Sequence, residues 1–197
     1  MYNVILSDPA WKQGKGGKKS VRENSSGGKL DYETITLDDI KEIHRQVRDL
    51  SMNNHAFFCW TIEKYLRQTE DMMYDLGYKL HSRMIWNKVT GIPAAFTIRF
   101  GHEYLLWFWY GKFQPIAKEM RGKYHSVFHE KVKAHSLKPN VSYDMIRNLY
   151  PDAKRIELFC RNKRRGFDGW GNEIKSDINI NGFIESKKSA EGLFAFV

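Results

Sequence analysis

Short apolar segments alternate with amphipathic ones along most of this chain of 197 residues. Five runs are apolar and bounded by turn residues, as buried β-strands are: residues 2–6, 55–60, 80–86, 102–110 and 155–160. Between them, apolar side chains recur at helical spacing in three segments: residues 37–50, 62–76 and 142–149. This alternation predicts an α/β fold in which helices cover a largely parallel sheet.

The charge balance of the chain favours a polyanionic partner. The formal net charge is +9 and the isoelectric point is about 9.4, and nucleic acid is the commonest polyanion that such proteins bind. Charge alone leaves open a basic domain that binds no nucleic acid. The segment 12–30 concentrates glycine and lysine, so we expect a flexible basic loop there.

Metal, disulfide and membrane chemistry find little support in the sequence. Cys59 and Cys160 lie inside apolar runs, which predicts reduced core thiols. No His or Cys residues have the spacing of metal ligands, so we expect no metal. Asp8 interrupts the apolar start of the chain, and the run YLLWFWY is too short to cross a bilayer. We therefore expect an intracellular, cytoplasmic protein with no membrane partner.

Ligands of open α/β sheets bind at the carboxyl ends of the strands. Two polar segments follow predicted strands at such positions: SDPAW after the first, and CRNKRRGFDGWGNE after the last. In the first, a carboxylate and a proline carbonyl could accept the N–H groups of a weakly nucleophilic amine, and Trp11 could stack on a flipped base. Asp-Pro after a strand is also a common turn, so these four residues alone leave both interpretations open.

The wider sequence resembles one family. DPAW is similar to the [D/N/S]PP[Y/F/W] motif of amino-methyltransferases, in the DPPW form of the MT-A70 family. Four further segments resemble that family in the same order along the chain: LDYETITLDDIKEI, GYKLHSRMIWNK, GHEYLLWFWYGK and HSLKPNVSYDMIRNLYPDAKRIELFCRNKRRGFDGWGNE. Together the matching segments cover residues 2–174, and a collinear set of this length is far more specific than a motif of four residues.

The resemblance implies a fold, a cofactor and a reaction. The fold would be a Rossmann-like class I methyltransferase fold of permuted order, with the catalytic strand first and the cofactor strand last. The methyltransferase domain would span residues 1–175, and residues 176–197 would form a C-terminal tail or edge element. The cofactor would be S-adenosylmethionine, and the product would be N6-methyladenine in DNA or RNA.

The resemblance also assigns roles to residues. The catalytic motif would be Asp8, Pro9, Ala10 and Trp11. The residues expected to bind the cofactor are Asp8, Lys138, Glu157, Arg161, Asn172 and Glu173. Those expected to bind substrate are Trp11, Lys12, Tyr32, Lys163, Arg164 and Arg165. Taken singly, Lys138 also fits a solvated turn lysine, Glu157 a structural role, and the cations from Arg161 to Arg165 a solvated loop.

Three features depart from the family pattern. Ala10 replaces the second proline of the motif, which relaxes the backbone at this turn. Few residues precede the catalytic strand, and no separate recognition domain is evident. Three interpretations therefore remain: an enzyme acting on DNA, which the small size favours; the same enzyme acting on RNA; and a catalytically silent, nucleic-acid-binding subunit of a heteromeric methyltransferase. A homodimer or a heterodimer is compatible with each.

Overall fold

The computed structural model describes residues 1–11, 35–90, 92, 97–133 and 137–180. Within these residues the chain forms seven strands: β1 (Tyr2–Ser7), β2 (Ser51–Thr61), β3 (Lys79–Asn87), β4 (His102–Tyr110), β5 (Val127–His129), β6 (Arg155–Leu158) and β7 (Asp168–Trp170). The described α-helices are α1 (Leu37–Asp49), α2 (Leu66–Asp75) and α3 (Asn140–Leu149). The 3₁₀ turns Glu63–Tyr65 and Lys118–Met120 complete the described elements.

The strands form one sheet in the order β5-β3-β4-β2-β1-β6-β7. β4 pairs antiparallel with both β2 and β3, whereas the other strand pairs are parallel. Six strands therefore point in one direction, and β4 points in the other. As a consequence, the first residues of β4 lie at the edge of the sheet where the remaining strands end.

Helices cover both faces of the sheet, which confirms the predicted α/β architecture. α1 and α2 bury Ile40, Ile43 and Met73 against one face, in a core that also holds Ile5 and Phe57. α3 buries Tyr143, Met145, Ile146 and Leu149 against the other face, with Leu6 and Phe58. Since successive side chains of a strand point to opposite faces, strands buried on both sides read as the continuous apolar runs of the sequence.

The start of α1 agrees with its sequence signals. Thr36 is the N-cap: its hydroxyl oxygen accepts the backbone N–H of Asp39 at 3.1 Å, and the Asp39 carboxylate accepts the N–H of Thr36 at 3.4 Å. This reciprocal capping box satisfies backbone groups that the first helical turn leaves unpaired. The apolar stripe through Ile40, Ile43 and Val47 is buried, as the spacing predicts.

Three predicted element boundaries were wrong. The strand predicted for residues 55–60 begins earlier, at Ser51. Residues 62–76 do not form one helix, because Tyr65 leaves helical geometry at a 3₁₀ turn and stacks its ring on Trp11. The strand predicted for residues 155–160 ends at Leu158, since Phe159 adopts a positive φ of 61°.

Two short strands were not predicted from the sequence. β5 lies between β4 and α3, and β7 lies within the glycine-rich loop that follows β6. Each has three residues, too few for an alternating pattern, and each exists because it pairs with a longer neighbour, β3 or β6.

Residues 176–180, at the start of the predicted C-terminal element, pack onto the sheet edge. The backbone N–H of Asp177 donates to Gly169 O, and the Asp177 carboxylate accepts the N–H of Gly169, both at 2.8 Å. Ile180 is 1% exposed and joins the core beneath α1 and α2. The basic loop 12–30 and residues 181–197 lie outside the described residues.

Two glycines with left-handed backbones provide a matched test of the fold. At Gly111 (φ 68°) an added Cβ would lie 2.2 Å from Asn53 O, whereas at Gly122 (φ 70°) it would meet nothing within 4 Å. We expect Gly111→Ala to lower the free energy of unfolding by at least about 3 kcal/mol and Gly122→Ala by about 1 kcal/mol. Urea denaturation of both variants measures this difference. Equal losses would contradict the close approach at Gly111.

Candidate active site

The carboxyl end of β1 is fixed from two sides. The Ser7 hydroxyl and His44 Nε2 are hydrogen bonded at 2.8 Å, and both residues are fully buried. The backbone N–H of Asp8 donates to Leu158 O, at the end of β6, at 3.3 Å. The chain therefore leaves the sheet at Asp8 from a rigid point between β2 and β6.

The DPAW segment makes a tight turn whose tryptophan is buried. The backbone N–H of Trp11 donates to Pro9 O at 2.8 Å. Trp11 is 5% exposed, its indole N–H donates to Trp60 O at 3.1 Å, and its ring stacks on Tyr65 at a centroid distance of 5.1 Å. A carbonyl oxygen has two lone pairs, so the internal bond leaves Pro9 able to accept one further donor.

Lys138 joins two carboxylates across the sheet. Its ammonium lies 2.8 Å from Asp8 Oδ1 and 3.1 Å from Glu103 Oε2, and the side chain is 11% exposed. β2 separates the strand that precedes Asp8 from the strand that begins near Glu103, and the Lys138 ammonium lies 5.5 Å from the ring centre of Trp60 on β2. Lys88, just after β3, lies 2.7 Å from Glu103 Oε1. Alternating charges from four chain segments thus form one network at this edge.

Burial and pairing set the protonation of this network. Burial raises the pKa of Asp8 above its ordinary value, although the nearby Lys138 opposes the shift. Burial also favours a neutral Glu103, but Lys138 and Lys88 outweigh it and lower the pKa of that carboxyl. For Lys138, the two carboxylates outweigh burial and raise its pKa. Glu103 and Lys138 are therefore firmly ionised, and Asp8 is the member that takes up a proton most readily.

Glu157 lies on β6, beside β1 and on the face that α3 covers. It is 5% exposed, and the Tyr143 hydroxyl donates to its Oε1 at 2.6 Å, while its Oε2 has no hydrogen-bond partner among the described residues. Burial raises the pKa of Glu157 to about 7, against the opposing effect of the Tyr143 hydrogen bond. An incompletely satisfied buried carboxyl is unusual and marks this position as one suited to a ligand.

The loops after β6 and β7 hold the remaining residues predicted to bind cofactor. Arg161 and Glu173 form an ion pair at 3.4 Å, with both side chains partly exposed, and Asn172 is exposed beside them. The two loops pack closely, because a Cβ on Gly171 would lie 2.2 Å from Cys160 O. Phe159, with its positive φ, begins this region, and such backbone outliers cluster at functional sites.

The residues predicted to bind substrate do not all share one surface. Lys163 is paired with Asp177, and the Arg164 guanidinium stacks 3.9 Å from the ring centre of Tyr143, below the start of α3. Arg165 is exposed. Trp11 is buried and stacked on Tyr65, and the remaining two, Lys12 and Tyr32, lie outside the described residues.

Sequence reasoning missed two residues of the site. Glu103 was not assigned to the catalytic or cofactor-binding residues, because the sequence does not reveal that β4 is reversed. His44 continues the apolar stripe of α1 and was not singled out. The sequence did contain a signal that Glu103 belongs to the site. Glu103 is the third residue of the segment GHEYLLWFWYGK, which resembles the family.

Two negative findings hold for the described residues. No group of three or more His, Cys, Asp or Glu is arranged to hold a metal ion there. None of the helices there has the length and apolar character that crossing a membrane requires.

The burial of His44 predicts a specific loss of stability in acid. Burial lowers the pKa of His44 from 6.5 to about 3, so between these values the unfolded chain binds a proton that the folded chain does not. Stability from this group is complete above pH 6.5 and is lost as the pH falls towards 3. When the pH falls from about 6.5 to about 4.5, the free energy of unfolding of the wild type should decrease by about 2–3 kcal/mol more than that of His44→Gln. Urea unfolding at both pH values tests this, and a difference independent of pH would contradict it.

Comparisons with known proteins place this site in a family. The sequence profile of the MT-A70 family matches residues 2–173, from β1 to the loop that holds Glu173. The chain is also 27% identical to the Type II methyltransferase M.MunI of Mycoplasma sp over 203 aligned residues, which cover 95% of this chain and 85% of that protein. The predicted Rossmann-like fold is confirmed by the sheet and by this match. The chain belongs to the MT-A70 family and is a methyltransferase.

Proposed function

We propose that this methyltransferase transfers a methyl group from S-adenosylmethionine to the N6 amine of adenine in nucleic acid, with DNA as the favoured substrate. The observation that carries the proposal is the Asp8 carboxylate, held by Lys138 at the carboxyl end of β1 and next to β6. Family membership supports the reaction class, and the similarity to a Type II methyltransferase supports DNA.

The residues around Asp8 fit this cofactor. An ammonium has three donors, so Lys138 can bind a ligand carboxylate while it keeps Asp8 and Glu103. The free Oε2 of Glu157 offers a negative charge to a cationic ligand. On the loops after β6 and β7, Arg161, Asn172 and Glu173 offer groups for ribose hydroxyls and adenine edges. When bound, S-adenosylmethionine supplies an activated methyl group.

Asp8 and Pro9 would bind and orient the target amine. The lone pair of the adenine amine is delocalised into the ring, which makes it a weak nucleophile. One Asp8 oxygen is bonded to Lys138, and the other would accept an N–H of the amine. The Pro9 carbonyl would accept the second N–H. As the nitrogen gains a carbon bond it becomes positively charged and must lose a proton, and the raised pKa of Asp8 favours its uptake at this carboxylate.

A second candidate is a catalytically silent, nucleic-acid-binding subunit. Ala10 favours it, because the backbone before and at this position is less restricted than with proline. The Trp11 N–H that occupies Pro9 O adds to that argument. The complete Asp8–Lys138–Glu103 network favours the enzyme, since a silent subunit has no need to hold two partly buried carboxylates together.

The remaining predictions belong to the same proposal. RNA is the alternative substrate, and the same residues would bind its adenine. The basic loop 12–30 and the net charge of +9 support a nucleic-acid partner. Two buried free cysteines are consistent with a reducing cytoplasmic location. Association with a second subunit is compatible with either function.

Asp8→Asn tests the proposal directly. The change keeps the shape of the side chain but removes its charge, so kcat should fall about 100- to 1,000-fold. The rate of methyl transfer is measured with labelled S-adenosylmethionine and single- and double-stranded DNA and RNA. The labelled products are then analysed for N6-methyladenine. Asp71→Asn, on the exposed surface of α2, is the matched control and should retain full activity. Cofactor binding without label on any substrate would instead support the silent subunit.

Glu103→Gln tests how the network sets the proton affinity of Asp8. The Glu103 charge raises the pKa of Asp8, so its removal should shift the acid limb of the pH profile of kcat/KM to lower pH. We also expect kcat/KM to fall about tenfold, because Lys138 loses a partner that positions it. A pH profile identical to that of the wild type would show that Glu103 acts only on folding.

A further inference from the structure

A cavity of about 350 Å³ lies on the face of the sheet that α3 covers. Its walls come from the start of β3, the second half of β4, α3 and the segment 111–126. The residues that line it include His81, Trp107, Phe113, Gly122, Tyr124 and His125.

This cavity is separate from the methyl-transfer site. His81 is near the amino end of β3, whereas Lys88 follows its carboxyl end. Trp107 is four residues beyond Glu103 on β4, a separation of about 13 Å at about 3.3 Å per residue. The cavity and Asp8 therefore lie towards opposite ends of the same face.

Aromatic rings form one wall of the cavity. His81 lies 4.4 Å from Trp107 and 4.8 Å from Phe113, between ring centroids, and Trp107 lies 6.1 Å from Phe113. Phe113 is 38% exposed, so part of its ring faces solvent. Exposed rings beside an open cavity are the platforms on which proteins stack unpaired bases.

Cations predominate in the segment that carries Phe113, since residues 112–123 contain four cations and one acidic residue, Glu119. Lys112 precedes Phe113, and Arg121 and Lys123 flank Gly122; all three side chains are exposed. Among the described residues that line the cavity, none is acidic. Cations beside an aromatic cavity can bind the phosphates of a nucleic-acid strand while one of its bases stacks in the cavity.

We propose that this cavity binds an unpaired base of the nucleic-acid strand whose adenine enters the methyl-transfer site. The inference rests on the proposed function, because it names a second contact for the same substrate. A volume of about 350 Å³ accommodates a nucleoside-sized group. Asp8 follows β1, which lies two strands from β4 and about 10 Å across the sheet. The two sites are therefore on the order of 16 Å apart, about five base steps at 3.4 Å, so one short strand reaches both sites.

The test measures the affinity of single-stranded oligonucleotides by fluorescence anisotropy. A dodecanucleotide can reach both sites, whereas a trinucleotide centred on adenine can reach only one. We expect Phe113→Ala to lower the affinity for the dodecanucleotide about tenfold and to leave the affinity for the trinucleotide unchanged. Phe113→Tyr keeps the ring and should bind like the wild type. Tyr74→Ala removes an exposed ring from α2, on the opposite face, and should change neither affinity.

Lys123→Gln provides a second measurement that does not disturb the aromatic packing. It should lower the dependence of dodecanucleotide binding on salt by about one unit of slope. With active wild-type enzyme, Phe113→Ala should raise KM for the dodecanucleotide and leave kcat unchanged, because the cavity lies away from the reacting atoms.

The outcomes separate this inference from the proposed function. A wild type that binds no oligonucleotide overturns both. A wild type that binds and methylates, with Phe113→Ala and Lys123→Gln unchanged, overturns the base-binding cavity alone. A third outcome is that the wild type self-associates while Phe113→Ala does not, with the oligonucleotide affinity of both proteins equal. In that case the cavity is an interface with a second copy, and the inference is wrong.

Discussion

The ion pairs of Lys138 with Asp8 and Glu103 hold the site together. Two carboxylates at the same edge of a sheet repel each other, and burying either alone would cost several kcal/mol. The Lys138 ammonium lies between the two carboxylates, next to Trp60 on the strand that separates them. Its attraction to both carboxylates outweighs their mutual repulsion. These ion pairs also tie the segment before α3 to the sheet, so the helix, two strand ends and the DPAW segment share one electrostatic anchor.

This arrangement depends on the direction of β4. If β4 ran parallel to its neighbours, Glu103 would lie at the far edge of the sheet, and Lys138 would have one partner instead of two. The reversed strand thus brings an acidic residue to the edge where ligands of α/β sheets bind. On β6, Glu157 adds a second carboxyl beside Asp8 without an ammonium bonded to it, and burial raises its pKa to about 7.

Much of the fold followed from the sequence, because long apolar runs and amphipathic stripes report burial directly. The apolar stripe of α1 and the order of the main elements were predicted correctly, and the family is confirmed. The roles of Asp8, Lys138, Glu157 and Arg161 stay predictions, although the structure places Lys138 against Asp8. Strand direction, three-residue strands and the backbone turn at Phe159 depend on tertiary pairing, so no local pattern reveals them.

The position of β1 has a consequence for synthesis on the ribosome. β1 pairs with β2 on one side and with β6 on the other, and β6 is separated from it by about 150 residues of chain. Until that later strand has been translated, one side of β1 lacks its partner, and the apolar strand presents unpaired backbone groups. The nascent chain therefore carries the DPAW segment next to an unpaired apolar strand, which favours aggregation until the sheet is complete.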